Sequence, residues 1–228
     1  MTSTADQHIL RSPDLQVPID FNTLEFLAPG TSGAVYAIDK GRVLKEYYDH
    51  DGGIVERQAF HHLGSHPNII GFLGEADSKS IILERGMILS SMVQTAVVSF
   101  ETQLAWIRGA AEGLHYMHQQ GIVHADAGCE NMVIVRDRLK LIDFEGSSID
   151  GMEAAAGYKW YNRRDSIVNL QRDTIAYGAV VYQILTGKPP FYEFAAVDDR
   201  SNLVQRLYSE HRFPEVQGLP LSDMMLGC

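Results

Sequence analysis

"HADAGCEN", residues 124–131, and "KLIDFEG", residues 140–146, decide how this chain is read. The first sets His124, Asp126 and Asn131 in the spacing H-x-D-x-x-x-x-N, and the second ends an apolar run on Asp143. A bare carboxylate at the end of an apolar strand needs a partner or a metal. Asn131 and Asp143 together suit Mg²⁺ and phosphate oxygens, which leaves Asp126 to accept a proton from a hydroxyl. A lone Asp at a strand end is common. The two motifs in this order are not.

Outward from this pair the chain changes character twice. "LEFLAPGTSGAVYAIDKGRVLKEYY", 24–48, predicts strands broken by a glycine-containing turn and by a hairpin signal at Asp39-Lys40-Gly41. "GGIVERQAFHHLG" carries a helical stripe stopped by Gly64, and "NIIGFLGEA" and "SIILER" predict two further strands. After Gly86 the pattern is mostly helical. "ETQLAWIRGAAEGLHYMHQQG" places Leu104, Ile107, Ala111, Leu114 and His118 on one face and ends on Gly121 as a C′ residue. "NMVIV" and "KLIDF" are short β-type pieces, and "RDTIAYGAVVYQILTG" is apolar on nearly all sides, so a buried helix is expected. A small strand-rich half followed by a larger helical half predicts an α+β chain of two lobes with a hinge near Glu84 to Met87.

In "LAPGTSGAV", 27–35, Gly30 and Gly33 would let backbone N–H groups approach a polyphosphate, although a flexible hairpin explains the pattern equally. Lys45, on the next strand, can neutralise phosphate charge, and Glu56, on the following helix, can hold it as an ion pair. Two exposed charges are the plainer alternative. His61, His62, His66, His115 and His118 lack the ligand pattern of a zinc site. "GAAEG", 109–113, suits close packing of another element.

With 228 residues, a net charge of −10 and a pI of about 5.3, the chain has room for a sizeable core and no broad basic face for nucleic acid or anionic lipid. Two cysteines, Cys129 and Cys228, make no disulfide framework, and no apolar run is long enough to span a bilayer. A cytoplasmic or nuclear domain is expected, with residues 1–20 as a flexible arm ahead of it.

Taken together, these parts resemble the eukaryotic protein kinase superfamily, and within it the divergent Ser/Thr kinase-like proteins abundant in filamentous fungi. The resemblance runs from about Phe26 to the C-terminus. "LAPGTSGAV" is similar to the glycine-rich loop with Ala28 in place of its first glycine, "VLK" to the lysine strand, "IILER" to the strand entering the hinge, "HADAGCEN" to the catalytic loop and "DFEG" to the magnesium loop. "HPNII", 66–70, is a frequent string in the family, and "RDTIAYGAVVYQILTGKPPF" resembles its central helix, with Asp173 as the buried anchor of the catalytic loop.

The resemblance implies a two-lobed kinase fold over residues 21–228, with an N-lobe about 21–85, a hinge about 84–87 and a C-lobe about 88–228. It implies ATP and Mg²⁺ as cofactors and the Ser/Thr hydroxyl of a protein as acceptor. Asp126, Lys45 and Glu56 would serve catalysis, and Asn131 and Asp143 would bind the metal. Gly30, Gly33, Val35, Val43, Lys45, Leu83, Glu84, Gly86 and Val133 would hold the nucleotide, with Leu83 as gatekeeper.

Four departures stand out. Ala125 replaces an Arg before the catalytic Asp, and Gly128 replaces the loop Lys. "GYKWYNRRD", 157–165, stands where an A-P-E motif belongs, and the C-lobe is expected to be short, stopping at "LSDMMLGC" before the family's last helix or two. Lys159, Arg163 and Arg164 could attract an acidic substrate, though such a cluster is more often solvated surface. The leading reading is a Ser/Thr protein kinase of full or reduced activity. The alternatives are a pseudokinase scaffold, a small-molecule kinase sharing the same loop spacing, and the small atypical kinase of the KEOPS tRNA-modification complex, which the acidic pI disfavours.

Overall fold

A computed structural model describes residues 19, 23–49, 53–154, 159–163 and 169–228. The arm expected over 1–20 lies, save Ile19, outside the described residues. The described chain forms two compact units, one from residues up to 52 together with 71–85, the other from 53–70 together with 86–228. The class is the α+β expected, with strands dominating the first unit and helices the second.

The first unit is a five-stranded antiparallel sheet in the order β1-β2-β3-β5-β4. Its strands are β1 (Glu25–Pro29), β2 (Gly33–Ala37), β3 (Arg42–Tyr47), β4 (Phe72–Asp77) and β5 (Ser80–Glu84). The β2–β3 hairpin closes where the sequence predicts: Asp39 accepts a hydrogen bond from the Gly41 amide at 2.8 Å and pairs with Arg42. Leu44, Tyr47, Ile81 and Ile82 form the buried centre. Gly33 is required by space. A Cβ there would lie 2.2 Å from the Glu46 carbonyl oxygen on β3, and backbone cannot swing aside as a side chain can. Gly33→Ala is therefore expected to cost about 1–3 kcal/mol, read as a lower denaturant midpoint. The reduced entropy of the unfolded chain would offset only about 0.4–1 kcal/mol of that. An unchanged midpoint would refute the tight-approach argument.

The second unit contains α1 (Ile54–Leu63), β6 (Met87–Ile88), α2 (Leu89–Thr95), α3 (Phe100–Gln119), β7 (Ile122–Val123), β8 (Met132–Val135), β9 (Arg138–Leu141) and β10 (Ser148–Ile149). α4 (Leu170–Thr186), α5 (Arg200–Ser209) and α6 (Ser222–Gly227) follow. β6, β8 and β9 form one small antiparallel sheet, and β7 pairs with β10. The helices end on the glycines expected, and side-chain caps open two of them. Ser99 caps α3 through the Thr102 amide, Asn169 caps α4 through the Arg172 amide, and Gly64, Gly121 and Gly187 take positive φ just past α1, α3 and α4.

Two expectations are corrected. The strand read from "NIIGFLGEA" begins only at Phe72. Asn68 and Ile70 instead exchange backbone hydrogen bonds with Leu141, and the Asn68 side chain donates through Nδ2 to the Leu139 carbonyl at 2.9 Å. The buried face of α3 is Trp106, Ile107, Ala110, Gly113, Leu114 and Met117, while Leu104 is exposed. α3 packs on both β9 and α4, so its apolar arc is wider than one stripe and turned by about one position. Gly109 and Gly113 make that approach: a Cβ on either would meet Asn68 and a leucine of β9 at about 3 Å.

Candidate active site

In the first unit, strand register gathers the predicted nucleotide residues. Val35 faces Lys45 across β2–β3, and Val43 faces Leu83 across β3–β5. Residues directly opposite share a face, as do residues two apart, so Val35, Val43, Lys45 and Leu83 line one side of the sheet. Lys45 is buried with its ammonium 5.4 Å from the Tyr47 ring centroid. Gly30, exposed between β1 and β2, donates its N–H to the Gly33 carbonyl. Glu84 exchanges backbone contact with Gly71, and its carboxylate also accepts from the Gly71 amide at 3.4 Å.

In the second unit, Gly86 and Val133 come together: a Cβ on Gly86 would lie 2.8 Å from the Val133 Cβ. Glu56, in the first turn of α1, is fully buried and accepts a hydrogen bond from the Phe144 amide at 3.2 Å. It offers a ligand oxygen within 4.8 Å of those of Asp143 and Glu145. Glu145 is a residue the sequence reading passed over, and its place one residue after Phe144 carried no signal.

The segment 124–131 is held from below by Asp173 on α4. This carboxylate is completely buried and accepts from the His124 amide at 2.8 Å and the Ala125 amide at 2.9 Å, with His118 Nε2 also 2.8 Å away. Two residues here have backbone conformations that L-residues seldom adopt, Ala125 at φ 67° and Asp143 at φ 69°. Such strain persists where neighbours over-determine it. Asp173 does so at Ala125; the Ile142 amide on the Asn131 carbonyl and the Phe144 amide on Glu56 bracket Asp143. His124 ties the two segments together. Its Nε2 lies 3.1 Å from the Ile142 carbonyl, which can only accept, so Nε2 carries the hydrogen.

Asn131 donates through Nδ2 to the Asp126 backbone carbonyl at 2.8 Å and to Asp126 Oδ2 at 2.9 Å. That assignment turns its Oδ1 away from Asp126, as an oxygen ligand suited to a hard cation. The carboxylates of Glu56, Asp143 and Glu145 are oxygen donors of the kind Mg²⁺ takes. None of the histidines belongs to a metal-binding group among the described residues. His118 serves Asp173, and His66 stacks on Tyr116 at 4.1 Å.

Lys159 Nζ lies 3.1 Å from Asp126 Oδ2, a contact not anticipated when Lys159 was read as part of a basic surface cluster. Arg164, with Gly157, Tyr158 and Asp165 of "GYKWYNRRD", lies outside the described residues. Beside this pair Tyr161 donates to Glu130 at 3.2 Å. Burial, then the Glu130 charge, pushes the Tyr161 phenol far above its ordinary range, which keeps it a donor. Burial likewise raises the Cys129 thiol, an inert packing residue inside the loop.

The family model for the protein kinase domain matches residues 30–221. The chain is 28% identical over 207 residues to the mitogen-activated protein kinase kinase kinase dlk-1 of Caenorhabditis briggsae, covering 79% of this chain and 23% of that protein. It is 29% identical over 186 residues to mitogen-activated protein kinase kinase kinase 3 of Arabidopsis thaliana, covering 72% and 28% respectively. It is 29% identical over 150 residues to the serine/threonine-protein kinase PknB of Mycolicibacterium smegmatis, covering 56% and 24%. The chain thus spans about a quarter of the length of these curated relatives. Among the described residues, no helix is long and apolar enough to cross a membrane.

Proposed function

Because this chain belongs to the protein kinase domain family, we propose that it transfers the γ-phosphoryl group of ATP to Ser or Thr hydroxyls of a protein substrate. The observation that carries this reading is the Asp126–Asn131 pair, fixed by Asp173 and joined through the Asn131 carbonyl to the segment that ends on Asp143. Phosphoryl transfer asks a protein mainly for positioning and charge compensation. Asp126 orients the acceptor hydroxyl and takes its proton. Asn131 and Asp143 hold Mg²⁺, which neutralises phosphate charge when bound. Lys45 meets the α- and β-phosphates with Glu56 holding it. Gly30, Gly33, Val35, Val43, Leu83, Glu84, Gly86 and Val133 surround the rest of the nucleotide. The lobes would span about 21–85 and 88–228, with the hinge at about 84–87.

A pseudokinase scaffold is the second reading, favoured by Gly128 in the loop. The two readings part on metal dependence. Transfer from ATP to a generic Ser/Thr protein substrate is expected to vanish in excess chelator and to fall about 10²–10³-fold in Asp143→Asn, the usual cost of losing one charge-stabilising group. Transfer that persists in chelator, or background signal from wild type, would sink the catalytic reading.

A further inference from the structure

We propose that Lys159 is a positioning residue for phosphoryl transfer: it reaches into the catalytic loop, holds the Asp126 carboxylate and supplies the positive charge that Gly128 lacks. The proposal rests on the phosphoryl-transfer reading above and deepens it. Three observations carry it.

The first is the contact itself. Lys159 Nζ and Asn131 Nδ2 converge on one oxygen, Asp126 Oδ2, at 3.1 and 2.9 Å. The two side chains of the ion pair are about one-quarter exposed, 23% for Lys159 and 26% for Asp126, so water screens the pair less than it would a surface pair. With Oδ2 held twice, Oδ1 is the oxygen that meets the acceptor.

The second is what surrounds Gly128. Its backbone is extended, φ −170° and ψ 162°, a conformation open to any residue. The backbone therefore does not demand glycine, and what a side chain at 128 would meet are the movable ends of neighbouring side chains. A Cβ at 128 would lie 2.9 Å from Glu130 Oε2 and 3.2 Å from Lys159 Cε, with the Tyr161 hydroxyl at 3.5 Å. The stem of Lys159 occupies the room that a side chain at 128 would need.

The third is that the lysine is carried on an anchored turn. The Asn162 amide donates to the Lys159 carbonyl at 3.0 Å, and Tyr161 reaches Glu130 of the loop. From α5, Tyr208 donates to the Tyr161 carbonyl at 3.0 Å and Gln205 to the Asn162 carbonyl at 2.9 Å. Tyr161 and Asn162 are both buried. An ordinary surface lysine explores many rotamers, whereas this one starts from a backbone tied to the loop it serves.

In the step itself, the acceptor oxygen forms its bond to the γ-phosphorus as the bond from that phosphorus to the bridging oxygen breaks. ADP leaves with that electron pair, and the hydroxyl proton passes to Asp126 Oδ1. Lys159 keeps the carboxylate aimed during the transfer and offsets its charge beside the incoming phosphoryl group.

The test compares the full chain with Lys159→Met, Lys159→Arg and the double variant Lys159→Ala/Gly128→Lys. It measures kcat, KM for ATP, binding of a fluorescent ATP analogue, and melting temperature. Lys159→Met is expected to lose about 10²–10³ in kcat with nucleotide affinity and melting temperature held. Lys159→Arg and the double variant are expected to regain part of that loss, because each returns a cation to the carboxylate. A wild-type kcat in Lys159→Met overturns the proposal, and a higher kcat overturns it by making the ammonium a block. Equal deficits in the Met and Arg variants, with parallel losses of nucleotide affinity and melting temperature, overturn it by showing a merely structural role. If wild type itself transfers no phosphate above background, the phosphoryl-transfer reading fails and the proposal falls with it.

Discussion

Replacing Asp173 with Ala is expected to destabilise the second unit by about 3–5 kcal/mol, the range for removing one member of a buried charged hydrogen-bond set. Asp173 is entirely buried and serves three groups: the His124 amide, the Ala125 amide and His118 Nε2. Truncation orphans two backbone N–H groups, each worth about 1–3 kcal/mol when buried without an acceptor. It also releases the left-handed backbone at Ala125, whose amide this carboxylate holds. A total stability of about 5–15 kcal/mol leaves a folded but weakened protein at best. Urea unfolding followed by far-UV circular dichroism is the measurement. Asp173→Asn, which keeps one acceptor oxygen, should fall between wild type and Ala. Identical midpoints for Ala and wild type would refute the anchoring role.

Asp126→Asn is expected to reduce phosphoryl transfer by about 10²–10⁴, the usual contribution of a positioned general base. The substitution keeps volume and shape, so the contacts from Asn131 and Lys159 can persist on the amide oxygen. Its NH₂ group then points where Oδ1 stood, and an amide cannot take up the acceptor proton. The residues proposed to hold the nucleotide on the β2–β3–β5 face are untouched, so ATP-analogue binding should be unchanged. Single-turnover transfer measured beside analogue binding separates the two. Equal, measurable transfer from variant and wild type would remove Asp126 from the chemistry.

The parts of the fold legible in the sequence are those set by neighbours along the chain. The β2–β3 hairpin follows from Asp39-Lys40-Gly41, where the Asp39 side chain closes on the Gly41 amide two residues away. The ends of α1, α3 and α4 follow from glycines able to take positive φ. The strand β8 follows from "NMVIV", whereas β9 is Arg138–Leu141 and shares only Lys140 and Leu141 with "KLIDF", so Asp143 stands beyond its end. What misled was sidedness. The face of α3 depends on which elements pack against it, and Asn68–Ile70 looked like strand although its hydrogen bonds go to Leu141. Both are long-range facts with no local signature.

The candidate site divides in the same way. The H-x-D-x-x-x-x-N spacing is local: a single loop brings the Asn131 amide back onto Asp126, so the pair could be found by counting residues. That Asp173 would meet the loop was implied only by resemblance, since 48 residues separate it from Ala125. The sequence by itself determined the kinase-like order of motifs, the strand-rich then helical division and the spacing that singles out Asp126, Asn131 and Asp143 as candidates. Only the tertiary structure decided that Glu145 joins Glu56 and Asp143, that His124 bonds Ile142, and that Lys159 enters the space left by Gly128. The physical reason is range. Turns, caps and strand alternation are settled over a few residues, but a charge is placed by whatever the rest of the chain folds beside it, and Lys159 lies 33 residues from the carboxylate it meets.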